Sequence, residues 1–139
     1  MPSTRRRNRR NQKKNNKTPK ISTIPWGYHL IIDAYQCNPN AIGSKTVVAA
    51  FVQELVRRIH MVTNENPHII PFRKGNLVGL TVVQRSETFD ITGRVMKHTN
   101  HAHIDLFSRN SFNPATALNV VTEYFLSRHT KTRFRRRQA

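Results

Sequence analysis

The chain has 139 residues, and 24 Lys and Arg against 7 Asp and Glu give a formal charge of +17, more than solubility asks for, so an anionic partner is expected. No apolar run approaches the roughly 20 residues that cross a bilayer as a helix, which excludes that class and any membrane partner built on it. The basic N-terminus lacks the apolar stretch of a secretory signal, and the single Cys37 can form no intrachain disulfide. A reducing setting follows as the expectation, cytoplasmic or virion-associated.

Residues 1–20 hold nine basic residues, no acid and no Leu, Ile, Val, Phe, Tyr or Trp. Such a segment has nothing to bury against its ordering entropy, so a disordered basic tail is expected. From Tyr28 the composition changes, and YHLIIDAY reads as a largely buried strand ended by Asn38, Pro39 and Asn40. Ser44 can cap a helix with Val48, Phe51, Val52, Leu55 and Ile59 on one face and Arg57 and Arg58 at its negative end. Strands are predicted over 68–73 and 77–84 around a Gly75-Asn76 turn, then over 88–95 and 101–107. Asn113 caps a second helix with Pro114 at its first position. The order β-α-β-β-β-β-α implies an α+β two-layer sandwich, a mainly antiparallel sheet with two helices on one face. Residues 126–139, with six basic residues and no acid, read as a second basic tail, leaving a body at 21–125 of net charge only +2.

Three patterns carry chemistry. Arg5, Arg6, Arg7, Arg9, Arg10, Lys13 and Lys14, joined at the other end by Arg135, Arg136 and Arg137, suit RNA or DNA phosphates through counterion release and paired guanidinium contacts, without base reading. The bland alternative is a solvated, solubilising charge. His98, His101 and His103 form the second pattern, with His101 and His103 on one side of a strand. They lack further ligands at a diagnostic zinc spacing, so no metal is assigned.

The third pattern is ETFDITGRVMKHTNHAHIDLFSR at 87–109. Together with GYHLIIDAYQCNP (27–39), GNLVGLTVVQ (75–84) and FNPATALNVVTEYF (112–125), it resembles the short prokaryotic type of S-adenosylmethionine decarboxylase. The resemblance implies that family's two-layer sandwich, a pocket for S-adenosylmethionine and a homo-oligomer in which a neighbour often completes the pocket. It also implies a pyruvoyl cofactor, made when the chain cuts itself before a serine lying 16 residues ahead of a strand aspartate. Counted back without gaps from Asp105, that position is Phe89. The processing histidine falls on Arg94, and the proton-donating cysteine on Arg109. A phenyl ring has no lone pair to attack a carbonyl, and without the pyruvoyl group decarboxylation has no electron sink, so no pyruvoyl cofactor is expected. Ser86 is a substitute only with an insertion and follows Arg85 rather than glutamate.

S-adenosylmethionine can nevertheless be broken without a cofactor. Its own carboxylate can displace methylthioadenosine and close a homoserine lactone, as in the small phage-encoded lyases that degrade it. On this reading Glu87 is the candidate catalytic carboxylate, and Phe89, Asp105, Arg94 and Arg109 are candidate substrate contacts, with Tyr28 and Tyr35 as unsupported stacking partners. The rival reading is a non-catalytic nucleic-acid-binding or structural protein that uses the fold as a scaffold and the basic ends as grips. A true pyruvoyl-dependent decarboxylase of polyamine synthesis is the third.

Overall fold

The computed structural model describes residues 25–138. The N-terminal basic residues from Arg5 to Lys14 lie outside the described residues. Among the described residues six strands and three helices follow one another. β1 (Gly27–Tyr35) leads to a single helical turn, α1 (Pro39–Ile42), and then to α2 (Lys45–Arg58). β2 (His68–Lys74), β3 (Leu77–Arg85), β4 (Phe89–Met96) and β5 (His101–Ser108) come next, before α3 (Pro114–Phe125) and β6 (His129–Arg137).

Local chemistry sets the helix starts. Asn38 was expected to end the first strand; it does so by opening α1, its side chain accepting from the amides of Asn40 and Ala41. Ser44 Oγ accepts from Val47 N at 3.2 Å to start α2, and Asn113 Oδ1 accepts from Ala115 N at 2.9 Å to start α3, with Pro114 at the first helical position. The two longer helices meet through Phe51, whose ring lies 4.6 Å from that of Phe125. On their outer side Arg58 links Glu54 of α2 to Glu123 of α3, with 2.7 Å contacts to each. This bridging holds both carboxylates below their ordinary range, Glu54 at about 2 through hydrogen bonds from Arg57 and Arg58.

The sheet order is β2-β3-β4-β5-β1-β6, and every neighbouring pair is antiparallel. Alternation divides it into two faces. Leu30, Ile32 and Ala34 of β1, Ala102, Ile104 and Leu106 of β5, Phe89, Ile91 and Val95 of β4, and Leu80 and Val82 of β3 are buried in the core beneath the helices. The alternate residues face the open side, where β1 and β5 place His29, Asp33, His103 and Asp105 in register. The two-layer α+β sandwich stands as expected.

The C-terminal boundary does not. The basic run is not a tail beyond residue 125, because His129–Arg137 forms the edge strand β6, paired with the whole of β1. Without it β1 would expose a row of unpaired amides and carbonyls along a strand rich in apolar residues. Thr130, Thr132 and Phe134 point one way along β6, and Phe134 stacks on Tyr28 at 6.4 Å and meets Phe112 edge-on at 5.8 Å. The charges on the other side suit an outer edge, as does Pro71 in β2 at the opposite edge.

Candidate functional site

A cleft of about 590 Å³ opens at one end of the sheet, between the segment that leaves α2 and the β3–β4 hairpin. Its walls include His60, Met61, Thr63 and Glu65 on one side and Arg85, Ser86, Glu87 and Thr88 on the other, with Asn110 at the base.

Each wall has a local cause. α2 ends with His60 in the left-handed region at φ 62°, while the His60 amide donates to Arg57 O and the Met61 amide to Val56 O. That is the paired closure usually built on glycine, and it turns the chain sharply enough to bury Met61 beside Val56. The segment is then tied to the sheet by Gln84, a buried polar side chain of β3. Gln84 Nε2 donates to Glu65 O at 3.2 Å, with Thr63 Oγ1 at 3.5 Å. Across the cleft, the hairpin closes through Ser86 N to Phe89 O at 2.9 Å, and Ser86 Oγ accepts from Thr88 N at 3.2 Å. Ser108 Oγ, buried at the end of β5, accepts from Asn110 N at 3.0 Å and donates to Asn110 O at 2.8 Å, fixing the base.

The carboxylates are distributed unevenly. Glu54 and Glu123 are bridged by arginine, while Asp105 accepts from His29 Nε2 at 2.8 Å. Asp33 accepts from His103 Nδ1 at 2.9 Å and from His101 Nε2 at 3.2 Å. Burial alone would raise the Asp33 pKa, but the hydrogen bonds from His103 and His101 outweigh it and hold the carboxyl below its ordinary range. The remaining acids are Glu65, Glu87 and Asp90. Two of these three, Glu65 and Glu87, line the cleft, and among the described residues neither has an ion-pair partner.

The expected site residues therefore separate. Glu87 stands exposed in the cleft wall. Arg109 lies at the same end of the sheet, its amide donating to Thr88 O at 2.8 Å, but its side chain is exposed and forms no part of the lining. Phe89 is not a substrate contact: it is 2% exposed and belongs to the core, because the first position of β4 that faces the helices is its own. Arg94 and Asp105 are not at the cleft either; they lie on the open face, opposite His103 and Thr92 respectively. His101 and His103 point at Asp33 rather than gathering a ligand shell, and no group of three ligating side chains that could hold a metal occurs among the described residues. Cys37 is buried at the other end of the sheet, its amide bonded to Asn100 O, and burial pushes its thiol up from the ordinary range. Sequence reasoning missed Glu65, Thr63 and Gln84. The signal for Gln84 was a lone amide at a core-facing position of an otherwise apolar strand.

The comparisons with known proteins bear on the fold and the family. No curated protein sequence matches the chain. Among solved structures, the crystal structure of the adenosylmethionine decarboxylase from Aquifex aeolicus VF5 superposes with a TM-score of 0.68 at 14% identity, over 83% of this chain and 92% of that one. At that identity the likeness establishes the fold. The family model described as S-adenosylmethionine decarboxylase matches residues 28–138 and so takes in β6. A match over that span, running from β1 to β6 of the sheet, makes the chain a member of the S-adenosylmethionine decarboxylase family.

Proposed function

We propose that the protein binds S-adenosylmethionine in the hairpin-end cleft and cleaves it without a pyruvoyl group, releasing methylthioadenosine and homoserine lactone. The observation that carries this reading is the pair of carboxylates, Glu65 and Glu87, that share one cleft with a single arginine, Arg85, and have no ion-pair partner among the described residues, in a chain of net charge +17. A cationic sulfonium is the ligand such a pair attracts and a phosphate is the one it repels.

The residues at the matched positions do not fit a pyruvoyl group. Phe89 is packed in the core with no oxygen to attack the preceding carbonyl, and the Ser86 hydroxyl is occupied within its own turn by Thr88 N. Arg109, at the position of the proton-donating cysteine, has no thiol and lies outside the cleft lining, and Arg94 points to the opposite face. The intramolecular route needs none of these groups. The substrate's carboxylate oxygen bonds to its own γ-carbon as the carbon–sulfur bond breaks, and that electron pair leaves on sulfur. The carboxylate and sulfonium charges are consumed together, and no proton is transferred. The protein's task is to hold the near-attack geometry in a partly apolar wall, supplied here by Met61, where collapse of a charge pair is favoured over its solvation. Glu87 serves as the anchor for the ribose hydroxyls and the cationic end of the ligand.

Calorimetric titration with S-adenosylmethionine, paired with chromatography of the nucleosides, tests the reading. Binding is expected in the micromolar to millimolar range, weakened about tenfold by Glu87→Gln, with methylthioadenosine as product. Absence of binding at millimolar ligand by the folded protein would overturn it. So would a chain found cut in two by intact-mass spectrometry, which would restore the decarboxylase reading.

A further inference from the structure

We propose that a second cavity, at the end of the sheet opposite the cleft and independent of it, binds a nucleoside monophosphate. The cavity holds about 480 Å³, within the size range of small-molecule sites. Its walls come from three connections: residues 36–39 where β1 passes into α1, Thr99 and Asn100 between β4 and β5, and Leu126 and Arg128 between α3 and β6. No strand residue lines it, so it belongs to the end of the sheet rather than to either face. Backbone hydrogen bonds knit the connections together. Cys37 N donates to Asn100 O at 2.9 Å, Asn38 N to Phe125 O at 2.8 Å and Arg128 N to Tyr35 O at 3.2 Å. The walls are therefore in place before a ligand arrives, which lowers the ordering cost of binding.

Strain gathers at this cavity. Among the described residues four that are not glycine have a positive φ, and three of them line it: Gln36 at 53°, Asn100 at 54° and Leu126 at 52°. Asparagine tolerates that region, but glutamine and leucine carry the Cβ penalty in full. Leu126 closes α3 where glycine is the ordinary residue, and its side chain is 60% exposed, so the fold gains neither backbone ease nor apolar burial from it. The neighbouring Ser127 Oγ is buried without a hydrogen-bond partner among the described residues. Costs of this kind persist where a binding surface needs them. A flat ring laid on Leu126 and Pro39 would bury the apolar surface that the fold leaves open.

The polar lining defines the rest of the ligand. Among the described residues that line the cavity Arg128 alone is charged, and it has no ion-pair partner. The turn that supplies Thr99 and Asn100 also carries Lys97 and His98, both exposed. A phosphate monoester is the group that a guanidinium in such surroundings holds through paired hydrogen bonds. Asn38 Oδ1 is taken by the amides of Asn40 and Ala41, which leaves its NH2 group, and Gln36 and Asn100 add two whole side-chain amides. These supply the donors and acceptors that a base edge or a ribose requires. A sulfonium finds no carboxylate in this lining, which sets the cavity apart from the cleft.

Amide resonances of the isotope-labelled full-length protein, followed during titration with adenosine monophosphate, test the proposal, because each amide reports its own surroundings and the basic ends cannot stand in for the cavity. Shifts are expected at Gln36, Asn100, Leu126 and Arg128, with adenosine and inorganic phosphate each binding at least about fivefold more weakly, since each offers only half of the ligand. Arg128→Gln should weaken binding about tenfold through loss of a charge-assisted contact. Arg73→Gln on the edge strand β2 removes the same charge elsewhere and should leave binding unchanged. Leu126→Gly separates the ligand from the fold: it should raise the melting temperature, because glycine accepts the left-handed conformation, and yet weaken adenosine monophosphate about threefold. A raised melting temperature with unchanged affinity, no shift at these amides at about 10 mM nucleotide, or shifts confined to the cleft would each overturn the proposal. So would equal binding of inorganic phosphate, the mark of an adventitious ion only, or tighter binding of an oligothymidylate carrying a terminal phosphate than of the mononucleotide.

Discussion

The hairpin-end cleft and the β6 face use the same scarce resource, seven carboxylates among 24 cations, in opposite ways. On the open face and the outer side of the helices, each acid except Asp90 is held by histidine or arginine, and the cations of β6 stand clear of them. In the cleft two carboxylates have no ion-pair partner among the described residues, one cation, Arg85, shares their lining, and Arg109 stays outside it. Net charge therefore does not describe a surface. A chain of +17 can still hold a concavity with two unpaired acids and a row of unpaired cations, because hydrogen bonding decides which acids are neutralised.

The largest effect that sharpens this comparison concerns Phe89. As a core residue, its replacement by alanine should cost about 3–5 kcal/mol and lower the melting temperature by many degrees, without a selective effect on S-adenosylmethionine. A ligand contact would show the reverse, near-native melting with lost binding. Gln84→Leu comes next: it frees the segment that carries Thr63 and Glu65 and leaves a backbone carbonyl without its partner, at a cost of about 1–3 kcal/mol. Calorimetry should find S-adenosylmethionine binding weakened along with stability.

Phe134→Ala probes the other region. Losing its contacts with Tyr28 and Phe112 should cost about 1 kcal/mol, and amide exchange should rise in β6 before it rises in β4 or β5. Smaller still, His60→Gly should stabilise the fold by about 0.5–1 kcal/mol, since glycine adopts the left-handed closure of α2 without the Cβ penalty. The pH dependence is the smallest effect. The folded-state pKa of Glu54 is depressed to about 2 from 4.5, so its contribution is complete above about 4.5 and is lost as pH falls from there through 2. Glu54 lies near the surface, where solvent screens much of the interaction, so acid titrations of the wild type and Glu54→Gln should diverge only in that acidic window.

Much of the sheet is legible in the sequence because its signals are local. Ser44 and Asn113 announce their helices, alternation marks four strands, and Gly75-Asn76 marks a hairpin. β6 escapes for a physical reason: five of its nine residues are Lys or Arg, and its strand character rests on Thr130, Thr132 and Phe134 and on an unpaired edge of β1 that lies about 100 residues earlier. Glu87 is legible as a hairpin carboxylate, but its partner Glu65 is not. The segment that brings Glu65 across depends on a left-handed histidine and on one buried amide, both of which act only once the core has formed. Phe89 was legible as core by the alternation of its own strand, and the resemblance pulled it toward the site.

The central claim is that the cleft breaks S-adenosylmethionine by displacement and leaves its carboxyl group in place. Incubation with substrate labelled at the carboxyl carbon tests this most directly. The account predicts that all released label is found in homoserine lactone, in amounts equal to methylthioadenosine, with none in carbon dioxide. Labelled carbon dioxide accompanied by decarboxylated S-adenosylmethionine would contradict it.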